Sequence, residues 1–438
     1  MITAPAPPPP SPLAMHTAAS FAPPKPVSIE ETGLDPGFVA DLALKIVYFN
    51  GVITGGGVAS ALCLPYNNVV DRVLEGLKAQ SLVEVRGGTG PLAVGYRYAV
   101  TDKGMEKIRE LLERSRYAGP CPVPFEAYCA SVTRQSIKEV VVSRDAIGRA
   151  FARMVLPRRI IDQLGPAINS GKSLFLFGPP GNGKTSIAEV ASALLGGHIY
   201  IPHAVLIDGQ IVRVFDEVHH RAVADSVDNQ GDETVDGRWV LSRRPVVIAG
   251  GELTLDTLEL GYQEEARVYE APLQMKANCG MFLIDDFGRQ RVQPVDLLNR
   301  WIVPLEKRVD YLTLANGSKI KVPFDELIIF STNQRPADLC DAAFLRRIRY
   351  KIEVGAPTNE EYREIFRRNC DAKGIEFNEA AVVYILSEYY GKRGLEIASC
   401  HPRDLLDQLV DIARYLGVRP MLAKDLIDLA CNSYFVKL

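Results

Sequence analysis

Along residues 36–116 the apolar positions follow first the period of helices and then the period of strands. Helical spacing runs through GFVADLALKIVYFNG, GGVASALCL and PYNNVVDRVLEGLKAQS. The strand-like segments LVEVRGG and VGYRYAVT flank the glycine-rich turn GGTGPLA, and DKGMEKIRELLERSRY predicts a closing helix. We therefore predict three helices, a strand pair and a fourth helix in this part of the chain.

This order of elements resembles a winged helix-turn-helix, and we predict such a module over residues 36–116. Residues 1–35 are rich in proline, which cannot donate a backbone hydrogen bond, so we predict a disordered tail there. A proline-rich docking ligand is the alternative for this tail. Residues 117–153 show no clear pattern, and we predict that they form a linker.

From residue 154 to 355 apolar strands alternate with helices and end in polar clusters, which is typical of a parallel α/β sheet. The stretch 198–279 adds further strand patterns. We predict that this stretch is a β-rich insertion in the core that carries substrate or partner contacts. Residues 356–438 have helical patterns throughout and predict an all-helical lid.

The segment SLFLFGPPGNGKTSIAEVASALL places a glycine-rich loop between an apolar strand and a helix. Glycines let successive backbone N–H groups approach phosphate oxygens, and the start of the helix adds its dipole. Lys184 supplies a charge for the terminal phosphates, and the Thr185 hydroxyl can ligate Mg²⁺. The predicted nucleotide-binding residues of this loop are Gly178, Pro179, Pro180, Gly181, Asn182, Gly183, Lys184, Thr185 and Ser186.

Two carboxylates follow another apolar run, in GMFLIDDFGR, about a hundred residues after the loop. Four apolar residues that end in two acids suit a buried strand that delivers the acids to the edge of a sheet. We predict that Asp285 holds Mg²⁺ together with Thr185, directly or through water. Asp286 would orient and deprotonate the attacking water.

The motifs GPPGNGKT, FLIDD, LIIFSTN and an arginine pair, in this order, resemble the AAA+ family over roughly residues 150–438. The resemblance implies a P-loop NTPase sheet, ATP and Mg²⁺ as ligands, and assembly into a ring, for which we predict six subunits. It also implies a role for Asn333, which occupies the place of the polar residue that positions water in this family.

The resemblance further implies roles for arginines in two segments. DAAFLRRIRYKIEV is similar to the segment that carries the arginine finger, which reaches the γ-phosphate of a neighbouring subunit. By position Arg347 is the first candidate, Arg346 the second and Arg349 the third. Arg403, in CHPRDLLDQL, stands where the family has a sensor-2 arginine that links the lid to the nucleotide.

The acidic pair departs from the family pattern, because most members have Asp-Glu and this chain has Asp285-Asp286. The shorter side chain withdraws the base by about 1.5 Å, one C–C bond. Bacterial replication-initiator and helicase-loader types resemble this chain in having Asp-Asp. The departure bears on the rate of hydrolysis and not on nucleotide binding.

A hairpin is predicted just before the strand of Asn333, because Asn316-Gly317 lies between alternating apolar residues. Its position resembles the pre-sensor-1 hairpin group of AAA+ proteins, which includes MoxR-type chaperones, enhancer-binding activators and replicative helicases. In those rings the hairpin points toward the central pore. Lys319 and Lys321 would suit an acidic substrate, and an ordinary solvated hairpin is the alternative.

Composition and charge narrow the class of protein further. The net charge of −3 over 438 residues gives no global attraction to nucleic acid or anionic lipid. The sequence has no signal-peptide pattern, no apolar run of the ~20 residues that a membrane span needs, and eight cysteines without a CxxC pair. We therefore predict a cytoplasmic protein without membrane insertion. His203, His219 and His220 lack further metal ligands, so we predict surface or hydrogen-bonded histidines.

The front module gives only weak support for DNA binding. Residues 1–130 contain 11 Lys/Arg against 12 Asp/Glu, and the presumed recognition helix offers Asn67, Asn68, Arg72 and Lys78 beside Asp71 and Glu75. We predict an ATP-hydrolysing ring motor that remodels a protein client or assembly. One alternative is a DNA-linked ATPase (an initiator, loader or regulator) that uses the module. Another is a nucleotide-gated scaffold with negligible hydrolysis.

Overall fold

Capping residues in the sequence set the ends of several helices. Asp35 accepts a hydrogen bond from the N–H of Phe38, and Thr101 caps a later helix in the same way. Gly374 and Gly417 end two helices in the left-handed conformation, which glycine adopts without steric cost.

The computed structural model describes residues 21–88, 93–223 and 234–435. Its helices are α1 (Pro36–Asn50), α2 (Gly55–Leu62), α3 (Asp71–Ala79), α4 (Asp102–Arg114), α5 (Phe125–Arg134), α6 (Arg144–Ala150), α7 (Arg158–Asn169), α8 (Lys184–Leu195), α9 (Leu273–Lys276), α10 (Pro294–Lys307), α11 (Pro336–Leu339), α12 (Ala342–Leu345), α13 (Asn359–Lys373), α14 (Glu379–Ile385), α15 (His401–Leu416) and α16 (Lys424–Tyr434). Its strands are β1 (Val52–Thr54), β2 (Val83–Gly88), β3 (Tyr96–Val100), β4 (Val123–Pro124), β5 (Ser173–Phe177), β6 (His198–Pro202), β7 (Ala204–Ile207), β8 (Gln210–Arg213), β9 (Trp239–Arg243), β10 (Val246–Ala249), β11 (Gly261–Gln263), β12 (Val268–Glu270), β13 (Met281–Ile284), β14 (Val309–Thr313), β15 (Lys319–Pro323), β16 (Leu327–Thr332) and β17 (Tyr350–Glu353).

The central sheet has five parallel strands in the order β10, β13, β16, β5, β17. Every residue of β13 and β16 is buried, because helices cover both faces of the sheet. Helices α6, α7 and α8 pack on one face, and α10 packs on the other through the fully buried Trp301. The predicted parallel-sheet P-loop core is therefore confirmed.

The front unit contains α1 to α4 and an antiparallel sheet in the order β1, β3, β2. It has its own core, in which Leu42, Leu44 and Leu62 are almost fully buried. Four residues of the predicted glycine-rich turn, 89–92, lie outside the described residues. The interpretation of this unit as a winged helix stays a prediction.

The predicted linker over residues 117–153 is wrong, because this segment is part of two cores. It forms β4, α5 and α6, and its residues Tyr128, Val132, Ile147 and Phe151 are buried. The first two pack against the β-rich part of the molecule, and the last two pack against α7 and α8. The elements are short, and so their patterns are too brief to detect in the sequence.

The predicted disorder of residues 1–35 is wrong for residues 21–35, while residues 1–20 lie outside the described part of the chain. Pro24 forms an antiparallel bridge with Val235, and the ring of Phe21 packs edge-on against Trp239. A 3₁₀ turn at Glu30–Thr32 then leads into α1. Phe21 provides an apolar side chain for packing, and the proline-rich composition of residues 1–35 does not reveal it.

The predicted insertion over 198–279 is interrupted, because β10 lies within it and belongs to the central sheet. A short apolar run has the same pattern in either sheet, and so the sequence does not distinguish them. Four of the remaining strands join β4, from outside this stretch, in a five-stranded sheet with the order β11, β12, β8, β7, β4, and β6 pairs separately with β9. Residues 224–233 of this stretch lie outside the described residues.

The predicted hairpin is confirmed as β14 and β15, which pair antiparallel on either side of Asn316-Gly317. One hairpin face is buried against the β-rich part through Leu312 and Val322. At the tip the Tyr269 hydroxyl of β12 accepts a hydrogen bond from the Ala315 N–H, 2.8 Å away. The hairpin is therefore fastened to the inserted strands as well as to the core.

The C-terminal part contains α13 to α16, in agreement with the helical pattern of the sequence, and one π-helical turn at Leu386–Gly391. Its own core includes Tyr362 and Phe366, both almost fully buried. Among the described residues, none of the helices has both the length and the apolar character needed to cross a membrane.

We predict that Arg238 joins the front unit to the β-rich part. Its side chain is 5% exposed, pairs with Asp236 and donates to the backbone carbonyls of Thr32 and Pro122. Breaking a buried pair leaves an uncompensated charge, so Arg238→Ala should lower the free energy of unfolding in urea by about 3 kcal/mol. The exposed pair Arg86–Glu84 is the matched control, and Arg86→Ala should change stability little. Equal stability of the two variants would contradict this role.

Candidate functional site

The phosphate loop follows β5 and ends at the first residue of α8, as the sequence predicts. Gly178, Gly181 and Gly183 have positive φ angles of 140°, 76° and 82°. A Cβ atom on Gly178 would overlap the carbonyl oxygen of Val354, so the loop approaches β17 as only a glycine can. With these backbone angles the loop runs across the edge of the sheet at which the parallel strands end.

Lys184 is 6% exposed, and its ammonium group is held by the loop itself. Its Nζ donates to the backbone carbonyls of Gly178 and Pro179, both at 2.9 Å. Burial lowers the pKa of Lys184, while the nearby carboxylates Asp286 and Asp285 act in the opposite direction. Because the oxygens that hold this ammonium group are neutral carbonyls, it can move to negatively charged phosphate oxygens that bind at the helix N-terminus.

The side chains of Thr185 and Asp285 meet although they are a hundred residues apart in sequence. The Thr185 hydroxyl donates to Asp285 Oδ2 at 2.9 Å. Asp285 directly follows β13, and Thr185 lies in α8 after the loop that follows β5. Strands β5 and β13 flank β16, and the parallel arrangement brings their carboxyl ends to one edge. A hydroxyl and a carboxylate are hard oxygen donors of the kind that Mg²⁺ prefers, so these residues fit that ion.

Asp286 and Asn333 extend from neighbouring strands at the same edge. Asn333 Nδ2 donates to Asp286 Oδ1 at 3.3 Å. The backbone of Asp286 is left-handed, with a φ of 50°, a conformation that aspartate and asparagine tolerate better than other non-glycine residues. The carboxylate of Asp286 is exposed, which leaves it accessible to a water molecule.

Gln290 is a contact of this site that the sequence analysis missed. Its Nε2 donates to the backbone carbonyl of Asp285, and its Oε1 accepts from the Gly288 N–H, both at 2.8 Å. These bonds fix the turn between the acidic pair and α10. A glutamine in a loop carries no periodic signal, so the sequence gives no means of finding it.

Two of the predicted arginines contact acidic side chains. Arg347 donates from Nε to Glu306 at 2.7 Å, and Arg346 and Arg349 are exposed. The side chain of Arg403 is 64% exposed and pairs with the adjacent Asp404. The arginine-finger and sensor-2 roles therefore stay predictions.

The C-terminal part contacts the loop through Ser399 and Cys400, which the sequence analysis did not single out. The backbone N–H of Ser399 donates to Asn182 Oδ1 at 3.0 Å, and the N–H of Cys400 donates to the Gly181 carbonyl at 2.9 Å. Of the remaining predicted loop residues, Pro180 and Ser186 are exposed.

The histidines of the inserted strands are hydrogen-bonded, as predicted for His219 and His220. His219 Nδ1 lies 2.8 Å from Asp216 Oδ2, and His220 Nε2 lies 2.9 Å from the Lys276 carbonyl. Burial lowers the pKa of His203 to about 4. These contacts account for His219 and His220, and the ring of His203 packs edge-on against Phe215.

Comparisons with known proteins give one partial sequence match and several distant structural ones. The chain is 43% identical over 54 residues to a vesicle-fusing ATPase of Dictyostelium discoideum, a match that covers 12% of this chain and 7% of that protein. Residues 358–433 match a family described as Domain of unknown function (DUF8689). The match to the vesicle-fusing ATPase therefore spans a small part of that protein's length.

Two solved structures similar to this chain are both 14% identical to it. A mutant of RuvB from Thermotoga maritima has a TM-score of 0.36, with 68% of this chain and 72% of that chain covered. NtrX from Brucella abortus in complex with ADP has a TM-score of 0.39, with 77% and 68% covered.

The close approach of Gly178 to β17 yields a prediction for Gly178→Ala. The added Cβ would meet the Val354 carbonyl, and the φ of 140° is strained for alanine. We expect the free energy of unfolding to fall by about 2 kcal/mol, as for other strained backbone positions, and ATP binding to weaken. Urea denaturation and nucleotide titration measure the two effects.

Gly76→Ala is the matched control, because a Cβ there meets nothing within 4 Å and the residue lies inside α3. Its stability should rise by about 0.5–1 kcal/mol, since alanine favours the helix. Wild-type stability and binding in Gly178→Ala would show that the loop does not need this close approach.

Proposed function

We propose that the chain is an ATPase of the AAA+ type, which binds and hydrolyses ATP as a subunit of a ring that remodels a protein client or assembly. The observation that carries the proposal is the convergence of three distant segments at one sheet edge. Thr185 bonds to Asp285 at 2.9 Å, and Asn333 bonds to Asp286 at 3.3 Å. Each of these contacts joins two residue types that phosphoryl transfer requires.

ATP would bind with its phosphates against the loop and the start of α8. The backbone N–H groups of the loop and the ammonium of Lys184 would receive the phosphate oxygens. Mg²⁺, held by Thr185 and Asp285, would supply charge neutralisation on the terminal phosphates. The oxygen donors of these two side chains support this assignment.

Hydrolysis would use Asp286 as the base and Asn333 as its orienting partner. Asp286 would accept the proton of the attacking water, which its exposed position allows. Asn333 is uncharged, so it can hydrogen-bond both the carboxylate and a water molecule without competing for the metal. The hydrogen bond between their side chains supports these two roles.

A ring would complete the site with an arginine from the neighbouring subunit. We propose Arg347 for this role, with Arg346 as the second candidate. Both lie just after α12, in the segment that follows the strand of Asn333. Glu306 accepts from the Nε of Arg347 and so fixes the direction of its guanidinium, whereas Arg346 is exposed. An arginine in this position would stabilise charge that develops on the transferred phosphoryl group.

The client of the ring would contact the outer face of the hairpin. Tyr311, Lys319 and Lys321 are exposed on that face, and Tyr311 stands directly opposite Lys321. An aromatic ring beside two ammonium groups suits an extended acidic polypeptide.

A second candidate is a DNA-linked ATPase, which the element order of the front unit favours. Asn67 and Asn68 are exposed in the turn before α3, Arg72 is exposed in its first turn, and Arg97 is exposed on β3. The neighbouring Glu75 is also exposed and weakens the attraction to phosphate. Binding to duplex DNA that weakens steeply with salt would distinguish this candidate from a protein remodeller.

Asp286→Asn provides the direct test of hydrolysis, because asparagine keeps the shape and tolerates the left-handed backbone. We expect kcat to fall by about 10² to 10⁴, the range for loss of a general base, with ATP affinity changed little. Steady-state phosphate release and equilibrium nucleotide titration measure the two quantities.

Asp296→Asn makes the same chemical change at an exposed position on α10 and should leave kcat unchanged. A wild-type rate in Asp286→Asn would remove Asp286 from the mechanism. ATP binding without turnover in the unaltered protein would favour the nucleotide-gated scaffold.

A further inference from the structure

The lid is fastened to the phosphate loop by hydrogen bonds in which Arg403 takes no part. Asn182 Oδ1 accepts from the Ser399 N–H at 3.0 Å, and the Gly181 carbonyl accepts from the Cys400 N–H at 2.9 Å. A Cβ on Gly181 would lie 2.6 Å from Cys400 Sγ. The loop and the lid are therefore in direct van der Waals contact as well as hydrogen-bonded.

Asn182 connects this lid contact to the phosphate-binding lysine. The residue is 3% exposed, and its Nδ2 donates to the Pro179 carbonyl at 3.3 Å. The same carbonyl accepts from Lys184 Nζ at 2.9 Å. Three hydrogen bonds thus run in sequence from the Lys184 ammonium through Pro179 and Asn182 to the backbone of Ser399.

We propose that Asn182 is a positioning residue that transmits the state of Lys184 to the lid. The proposal rests on the proposed function in one respect, which is that phosphates bind at Lys184. It assigns the link between nucleotide and lid to a loop side chain, a task that the sequence resemblance gave to Arg403.

The proposed link transmits the movement of the Lys184 ammonium from the loop carbonyls to the phosphate oxygens. In the structure, the Pro179 carbonyl shares its lone pairs between Lys184 and Asn182. When phosphate oxygens attract the ammonium, that carbonyl loses its charged donor, and its bond to Asn182 strengthens. The amide is planar, so a movement of Nδ2 toward Pro179 also moves Oδ1, and with it the Ser399 N–H.

The lid segment that receives this movement is firmly attached to the rest of the lid. His401 Nδ1 accepts from the Ala398 N–H and lies 2.8 Å from the Tyr390 hydroxyl, which in turn lies 3.1 Å from the Tyr362 hydroxyl. Tyr362 belongs to the lid core. A shift at Ser399 is therefore carried to α13 and α15 rather than absorbed by a loose loop.

Hydrogen–deuterium exchange of the backbone amides in residues 396–402 tests the link, with and without ADP. In Asn182→Ala the Ser399 N–H loses its acceptor. The loss of one net hydrogen bond should make exchange of this amide about fivefold faster in the nucleotide-free protein. The extra protection that ADP gives to this segment should also be lost when exchange is measured at an ADP concentration that saturates the variant.

Asn182→Asp is the conservative rescue, because it keeps an acceptor at Oδ1. Its nucleotide-free exchange should equal that of the wild type, although its charge should weaken ADP binding. Ser399→Ala keeps the backbone N–H and should exchange like the wild type.

Wild-type exchange in Asn182→Ala, or equally fast exchange in the Ala and Asp variants, would overturn the proposal. The proposed function fails separately, if the unaltered protein binds neither ATP nor ADP. In that case the exchange rates of the nucleotide-free Asn182→Ala and Asn182→Asp variants still show whether Asn182 accepts the hydrogen bond from the Ser399 N–H.

Discussion

The charge of Lys184 is the constraint on which the candidate site depends. An ammonium group on a residue that is only 6% exposed would be costly without partners, and the loop supplies the carbonyls of Gly178 and Pro179. To do so the loop must curl back on itself, which requires positive φ angles at its glycines. The curl brings Gly181 and Asn182 against the C-terminal helical part, so one buried cation shapes both the loop and the contact that the loop makes there.

The β-rich part, the hairpin and α10 form a second connected system beside this site. Arg300 on α10 pairs with the buried Asp310 of β14 and with Glu259, and Gln274 Nε2 also donates to Asp310. Buried pairs of this kind fix geometry more than they add stability. Helix α10 starts just after the turn that Gln290 holds, so the hairpin is attached to the element that follows the acidic pair.

Sequence patterns predicted the elements that have a local signature. The predictions failed where contacts between distant segments determine the structure. The loop around Lys184, the central parallel sheet and the Asn316-Gly317 hairpin each have a short-range signature. The order of residues 21–35 depends on Phe21 meeting Trp239, which is more than two hundred residues away. The partners of Asn182 and Arg347 likewise come from distant segments, and no periodic pattern in the sequence predicts these contacts.

The central claim, that ATP is hydrolysed between subunits of a ring, is tested most directly by specific ATPase activity as a function of protein concentration. The wild type should gain activity per subunit as concentration rises. Arg347→Ala should lose most of that gain, and Arg86→Ala, which removes an exposed arginine of the front unit, should keep it. Activity that is independent of concentration, with Arg347→Ala and Arg346→Ala both as active as the wild type, would contradict a site shared between subunits.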